Sequence, residues 1–145
     1  MSAFTGPAEF RRVFDLLFAV LSRDRRFGPR LRALGKAQRF VIRDLALTLD
    51  VDAVRGGSGG AENLRWAWNG KGCSWEPLAV LELDSGTANA FFQGRVNLAV
   101  ALLAGSISVV DGSGAVPLET LPILKGFYPV WTQRVRHEGW DHLVA

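Results

Sequence analysis

The chain holds one cysteine, Cys73, among 145 residues. An intramolecular disulfide is impossible, and a cysteine-based zinc cluster is excluded. A reducing, cytoplasmic setting is the expectation. Histidine is nearly as scarce, occurring only as His137 and His142. Everything upstream lacks an imidazole for acid–base or triad catalysis. Tyrosine occurs once, as Tyr128. A small α+β fold that isomerises steroids needs a buried Tyr donor and an acidic base in an apolar pocket. Tyr128 sits beside Pro129, which reads as a break or kink in a helix.

Long apolar runs are missing too. Leu16 to Leu21 and Leu98 to Ala104 fall far short of the roughly 20 residues that span a bilayer. Residues 1–30 carry Asp15 and Asp24, with no small-residue cleavage pattern, so no signal peptide is expected. No standard metal motif is present. His137-Glu138-Gly139-Trp140-Asp141-His142 has the wrong spacing and reads as a fraying tail. Asp50 and Asp52 resemble the start of a calcium loop, but Arg55 and a missing bidentate Glu defeat it. They read as the solvated side of a strand. Gly56-Gly57-Ser58-Gly59-Gly60 lacks the Lys-Ser/Thr ending of a phosphate loop and reads as a loop between strands. Cys73 has no base near it in sequence and reads as a bystander thiol. No cofactor is expected.

What the chain does have is oil and a lopsided charge. Hydrophobic residues make up 48% and charged residues 21%, a globular balance that fits one domain over 1–145. Net charge is +3, but from Arg11 to Arg43 ten basic residues face two acidic ones, a net of +8. The rest holds seven basic and twelve acidic residues, a net of −5. A basic front end, 1–40, suggests attraction to anionic lipid or phosphate. Arg11, Arg12, Arg23, Arg25 and Arg26 are the candidate contacts. No nucleic-acid motif accompanies them, so no nucleic-acid partner is expected.

Phe10, Val13, Phe14, Leu17, Phe18 and Leu21 recur at helical spacing after Pro7, and Gly28-Pro29 predicts the stop by Arg26. A short helix through Leu31, Leu34 and Lys36 is weakly signalled. Residues 41–54 read as one strand, with Leu45, Leu47, Leu49 and Val51 on one face. Further strands are expected at 64–68, within 75–84, and at 106–110, where Val116 could add an extension. Ser85 should cap a helix over 87–93, and Asn97 a second that closes at Gly105. Pro117 opens the last helix, and 132–145 is left as a tail. The order implies α+β: one mostly antiparallel sheet with helices on one face.

One stretch carries a more specific signal. Leu81-Glu82-Leu83-Asp84-Ser85-Gly86, Phe91-Phe92-Gln93-Gly94-Arg95-Val96-Asn97 and Leu102-Leu103-Ala104-Gly105-Ser106-Ile107-Ser108-Val109 resemble the sterol carrier protein family. Gly112 and the segment from Leu118 to Pro129 fit its closing turn and last helix. The match covers about residues 76 to 131. The resemblance implies a five-stranded sheet with an apolar tunnel under its helices. It also implies non-catalytic binding, and transfer, of a fatty acid, fatty acyl-CoA, phospholipid or sterol. Carried over by position, the lining would be Phe91, Phe92, Leu98, Leu102, Leu103, Ile107, Leu121, Leu124 and Phe127. Such a carrier should hold an apolar cavity above about 300 Å³. An accessory protein that keeps the fold with its tunnel filled is the alternative. The long Arg-rich front end and the glycine loop depart from the family pattern.

Overall fold

The computed structural model describes residues 3–53 and 63–145, so Gly56–Gly60 lies outside the described residues. Helix α1 (Pro7–Arg23) opens with Pro7 in its first turn and buries Phe10, Val13, Phe14, Leu17, Phe18 and Leu21. It stops three residues before Arg26 because Asp24 pulls the chain into a turn. Its carboxylate accepts from the amides of Arg26 at 2.8 Å and Phe27 at 3.3 Å. Burial opposes the charge, but those bonds and the Arg26 guanidinium hold Asp24 below the ordinary carboxylate range. Gly28-Pro29 then starts α2 (Gly28–Leu34), which Gly35 closes in the left-handed conformation.

The stretch read as one strand over 41–54 is a hairpin. Strand β1 (Ala37–Ile42) pairs antiparallel with β2 (Leu47–Asp52), across a 3₁₀ turn at Arg43–Leu45. Ala46, at φ 51°, turns the chain back. The remaining strands are β3 (Arg65–Trp68), β4 (Ala79–Leu83) and β5 (Ile107–Gly112). Sheet order is β3-β2-β1-β4-β5, and β1–β4 is the one parallel pair among the described residues. Between β4 and β5 lie α3 (Ser85–Phe92) and α4 (Leu98–Ala104). The fold is therefore α+β, with a mostly antiparallel five-stranded sheet.

Ser85 is the first residue of α3 rather than its cap. Asp44, from the 3₁₀ turn, accepts from the Ser85 amide at 2.8 Å and its hydroxyl at 2.6 Å. Asn97 does cap α4, accepting from the Val100 amide, and Gly105 ends it at φ 81°. Val116 does not extend β5; it lies in α5 (Ala115–His137), a single helix that runs through both Pro122 and Pro129. Each proline removes one helical hydrogen bond, but both face solvent, and Val116, Thr120, Ile123, Phe127, Trp131 and Val135 anchor the other side.

The end of the chain does not fray. Leu143 is fully buried, and its carbonyl accepts from Asn89 and Gln93 at 2.8 Å each. His142 Nε2 lies 3.2 Å from a Glu9 carboxylate oxygen. Among the described residues, no three His, Cys, Asp or Glu side chains come together as a metal site. No described helix is long and apolar enough to cross a membrane.

Alternation along β1 sorts the sheet into two faces. Phe40 lies opposite Leu49 and Leu81, while Arg39 lies opposite Asp50 and Val80. The first set meets the helices. The second faces away, and here Asp50 and Asp52 prove not to be solvated: they are 0% and 1% exposed. Arg39 Nε donates to Asp50 at 2.8 Å, and Arg65 to Asp52 at 2.8 Å. The Asp50 bond raises the Arg39 pKa above its ordinary value, against a smaller opposing effect of burial. Arg65 also lies over the Trp75 ring, 4.1 Å from its centroid.

Arg39→Leu should leave Asp50 without its cation and destabilise the fold by about 3 kcal/mol. The double variant Arg39→Leu, Asp50→Leu should recover most of that loss. Urea unfolding of both variants is the check; equal losses in the two would mean that the pairing is not what holds Asp50.

Candidate functional site

Between the sheet and the helices lie two adjoining apolar hollows. The first is lined by Phe14 of α1, Phe40 and Ile42 of β1, Phe91 and Phe92 of α3, and Leu98, Ile107 and Leu124. The second is lined by Phe18, Leu21, Leu31, Val51, Leu64 and Lys36. They share Gln38, Phe40, Phe92, Thr120 and Leu124. The shared residues come from β1, α3 and α5, so the hollows meet over the middle strand. Gln38 and Thr120 bring the polar side chains to this junction. The Thr120 hydroxyl donates to the Pro117 carbonyl at 2.9 Å.

The volumes correct the expectation above about 300 Å³ for a carrier. The two hollows hold about 40 Å³ and about 50 Å³. Aromatic rings close the space. Phe92 meets Phe14, Phe18 and Phe91 edge-on, with ring centroids 5.7, 5.7 and 5.1 Å apart. Phe10 stacks on Phe14 at 4.1 Å and meets Trp68 edge-on at 6.0 Å. Asp15 fixes α1 over β3 by accepting from both indoles, Trp66 Nε1 at 2.9 Å and Trp68 Nε1 at 2.7 Å.

Of the residues expected to line a tunnel, Phe91, Phe92, Leu98, Ile107 and Leu124 do line the first hollow. Phe127 does not. It is fully buried and packs edge-on against Phe27 at 6.1 Å, as part of the α2–α5 contact. Leu102 is partly buried against the core away from the hollows. Leu103 points outward, 90% exposed, on α4. Leu121 faces a separate surface groove, with Leu118, Lys125 and Tyr128 of α5 opposite Gly94 to Ala99. Sequence reasoning missed the β1 and α1 walls. Gln38, Phe40, Phe14 and Phe18 lie outside the stretch that carries the resemblance, although the helical spacing already put Phe14 and Phe18 on a buried face.

The five candidate arginines do not gather at the hollows. Arg11 and Arg12 line a shallow depression on α1 with Ala8 and Asp15, and Arg11 lies 5.6 Å from the Trp68 ring centroid. Arg26 pairs with Asp24 at 3.3 Å and covers the Phe27 ring. Arg23 and Arg25 are exposed at the end of α1 and in the following turn.

No family model matches the sequence, and no curated protein matches it. Solved structures do resemble its shape. A "UbiJ-SCP2 Ubiquinone synthesis protein" superposes with a TM-score of 0.52 at 13% identity, covering 86% of this chain and 94% of that one. The fold is sterol-carrier-like. The stereoselective inverting sec-alkylsulfatase Pisa1 from Pseudomonas sp. gives a TM-score of 0.58 at 18% identity, over 75% of this chain. The match spans only 16% of the alkylsulfatase's length. At these identities the likeness is one of architecture.

Two of the misplaced residues, one buried and one exposed, should respond differently to truncation. Phe127→Ala should cost about 3–5 kcal/mol through lost burial and a new cavity. Leu103→Ser should change stability by less than about 0.5 kcal/mol. Thermal or urea unfolding distinguishes them, and a large loss for Leu103→Ser would contradict its exposed placement.

Proposed function

We propose that this protein binds, without chemically altering it, a lipid-like hydrophobic ligand between its sheet and its helices. The observation that carries this reading is the pair of adjoining, almost wholly apolar hollows over β1. The sterol-carrier-like fold supports it, shared as it is with a UbiJ-SCP2 ubiquinone synthesis protein over most of both chains. Fatty acid, fatty acyl-CoA, phospholipid or sterol is the ligand class. Each methylene moved from water gains about 0.8 kcal/mol, so a dozen would give about 10 kcal/mol before the costs of ordering and opening. Because the resting space is narrow, binding must part the rings around Phe92 rather than fill a ready tunnel. The reading extends to a cytoplasmic setting and to transfer between membranes, with Arg11, Arg12, Arg23, Arg25 and Arg26 touching anionic lipid.

That same narrowness favours a second reading. An accessory protein could keep the fold with its interior closed and dock a partner instead. The two readings differ in whether the interior opens.

Native mass spectrometry of gently purified protein, with titration of a fluorescent fatty acid, is the test. Lipid-mass adducts and saturable binding of one probe per chain are expected. Ala88→Val, which adds two methyl groups in the wall of the first hollow, should weaken probe binding about threefold or more with the circular dichroism unchanged. Clean apo protein that ignores the probe would sink the lipid reading. Separately, binding to anionic vesicles should weaken as salt rises past the point where the Debye length is about 10 Å, near 0.1 M. Vesicle binding indifferent to salt would remove the arginines' proposed role.

A further inference from the structure

The surface groove beside the hollows is unlike them. It holds about 720 Å³, within the usual range for small-molecule sites. One wall is a stripe along α5, where Leu118, Leu121, Lys125 and Tyr128 recur at helical spacing. The other is the α3–α4 connection from Gly94 to Asn97 and the start of α4. Gly94 lets the two walls meet. Its φ is +77°, and a Cβ there would stand 2.9 Å from Tyr128 Cδ2, so a larger residue would force the ring away.

Two cations of the groove have no structural use in the protein as it stands. Arg95 and Lys125 are exposed and, among the described residues, neither has a carboxylate within ion-pair distance. No Asp or Glu lines the groove, so both charged side chains on its walls are cationic. The Tyr128 hydroxyl is buried and, among the described residues, has no hydrogen-bond partner. Burial pushes its pKa up to about 12, so it stays protonated, and it is closed off from the groove's open space. The groove also touches the interior. Leu98 lines both the groove and the first hollow, so one side chain, just after the Asn97 cap, stands between them.

We propose that this groove holds the anionic head of a single-chain amphiphile, a carboxylate or a phosphate, with Arg95 and Lys125 as its charge partners. Leu98 is the gate past which the chain enters the hollow. This rests on the lipid-binding reading above and adds to it an orientation: head outward at α4, tail over β1. It also assigns the charge recognition to Arg95 and Lys125, not to the arginines of the front end. Two cations on one anion make the strong, charge-assisted class of hydrogen bond.

Calorimetric titration with decanoate, decyl phosphate and decanol separates head from tail. The wild type should bind the two anions at least about tenfold more tightly than the alcohol. The double variant Arg95→Gln, Lys125→Gln should lose that preference while keeping its affinity for decanol. Arg136→Gln, on the exposed end of α5, should change nothing. Preference between decanoate and decyl phosphate identifies which head the site takes; either supports the assignment. A wild type that prefers decanol, or a double variant that binds all three as the wild type does or loses all three equally, would overturn it and leave the lipid reading standing. A wild type that binds none of the three would overturn both.

Discussion

The pairing of β1 decides where everything else can go. It is bonded to β2 on one side and β4 on the other, in opposite senses. Side chains in a strand alternate faces, so a slip of one residue would exchange the two surfaces of the sheet. In the observed register Gln38, Phe40 and Ile42 lie under the helices, and Phe40 sits opposite Leu49 and Leu81 on the same face. The hollows are centred on these residues because the helices must bridge over the middle strand, resting on β3 through Trp66 and Trp68. Asp15, bound to both indoles, ties α1 down at that edge.

The reverse of the sheet obeys the same register with different chemistry. A buried carboxylate needs a cation and good geometry, or it is better absent. Asp50 has Arg39 from the neighbouring strand directly opposite, and Asp52 has Arg65. Trp75, from the connection before β4, then covers the Arg65 guanidinium. The pairs are thus specified by cross-strand position. They fix the hairpin and its β3 neighbour from the side away from the site, and so hold the floor of the hollows in place.

This explains what was legible in the sequence and what was not. The alternation of Leu47, Leu49 and Val51 with Thr48, Asp50 and Asp52 was local and held. Whether the acidic side was wet depended on arginines eleven and thirteen positions away, which periodicity cannot reach. The turn inside 41–54 was hidden because Arg43-Asp44-Leu45-Ala46 contains neither Gly nor Pro. Pro129 misled for the opposite reason, since a solvent-facing proline on a helix anchored by Phe127 and Trp131 interrupts only one bond. At the site, Phe91, Phe92, Leu98, Ile107 and Leu124 were legible from their placement in the resembling stretch. Leu103 and Phe127 were not, because apolar character does not say which way a side chain faces or how deep it lies. The β1 and α1 walls required the tertiary pairing itself.

The narrowness of the interior bears on how an apolar site survives without its ligand. An empty apolar cavity costs about 24 cal/mol per Å³, so a ready tunnel of about 300 Å³ would cost about 7 kcal/mol. That is as much as many domains have in total, roughly 5–15 kcal/mol. Water does not relieve it, because cavities lined by Leu, Ile and Phe stay dry. Collapse of the Phe14, Phe18, Phe91 and Phe92 rings onto one another removes most of that cost. A hydrocarbon chain entering would replace ring–ring contact with ring–chain contact while leaving water itself, so the net drive comes from the chain's own burial. A closed interior flanked by an open, cation-bearing groove is therefore consistent with a site whose polar end stands ready and whose apolar end forms around what it binds. In the proposed arrangement Leu98, common to both, is where the two ends would be coupled.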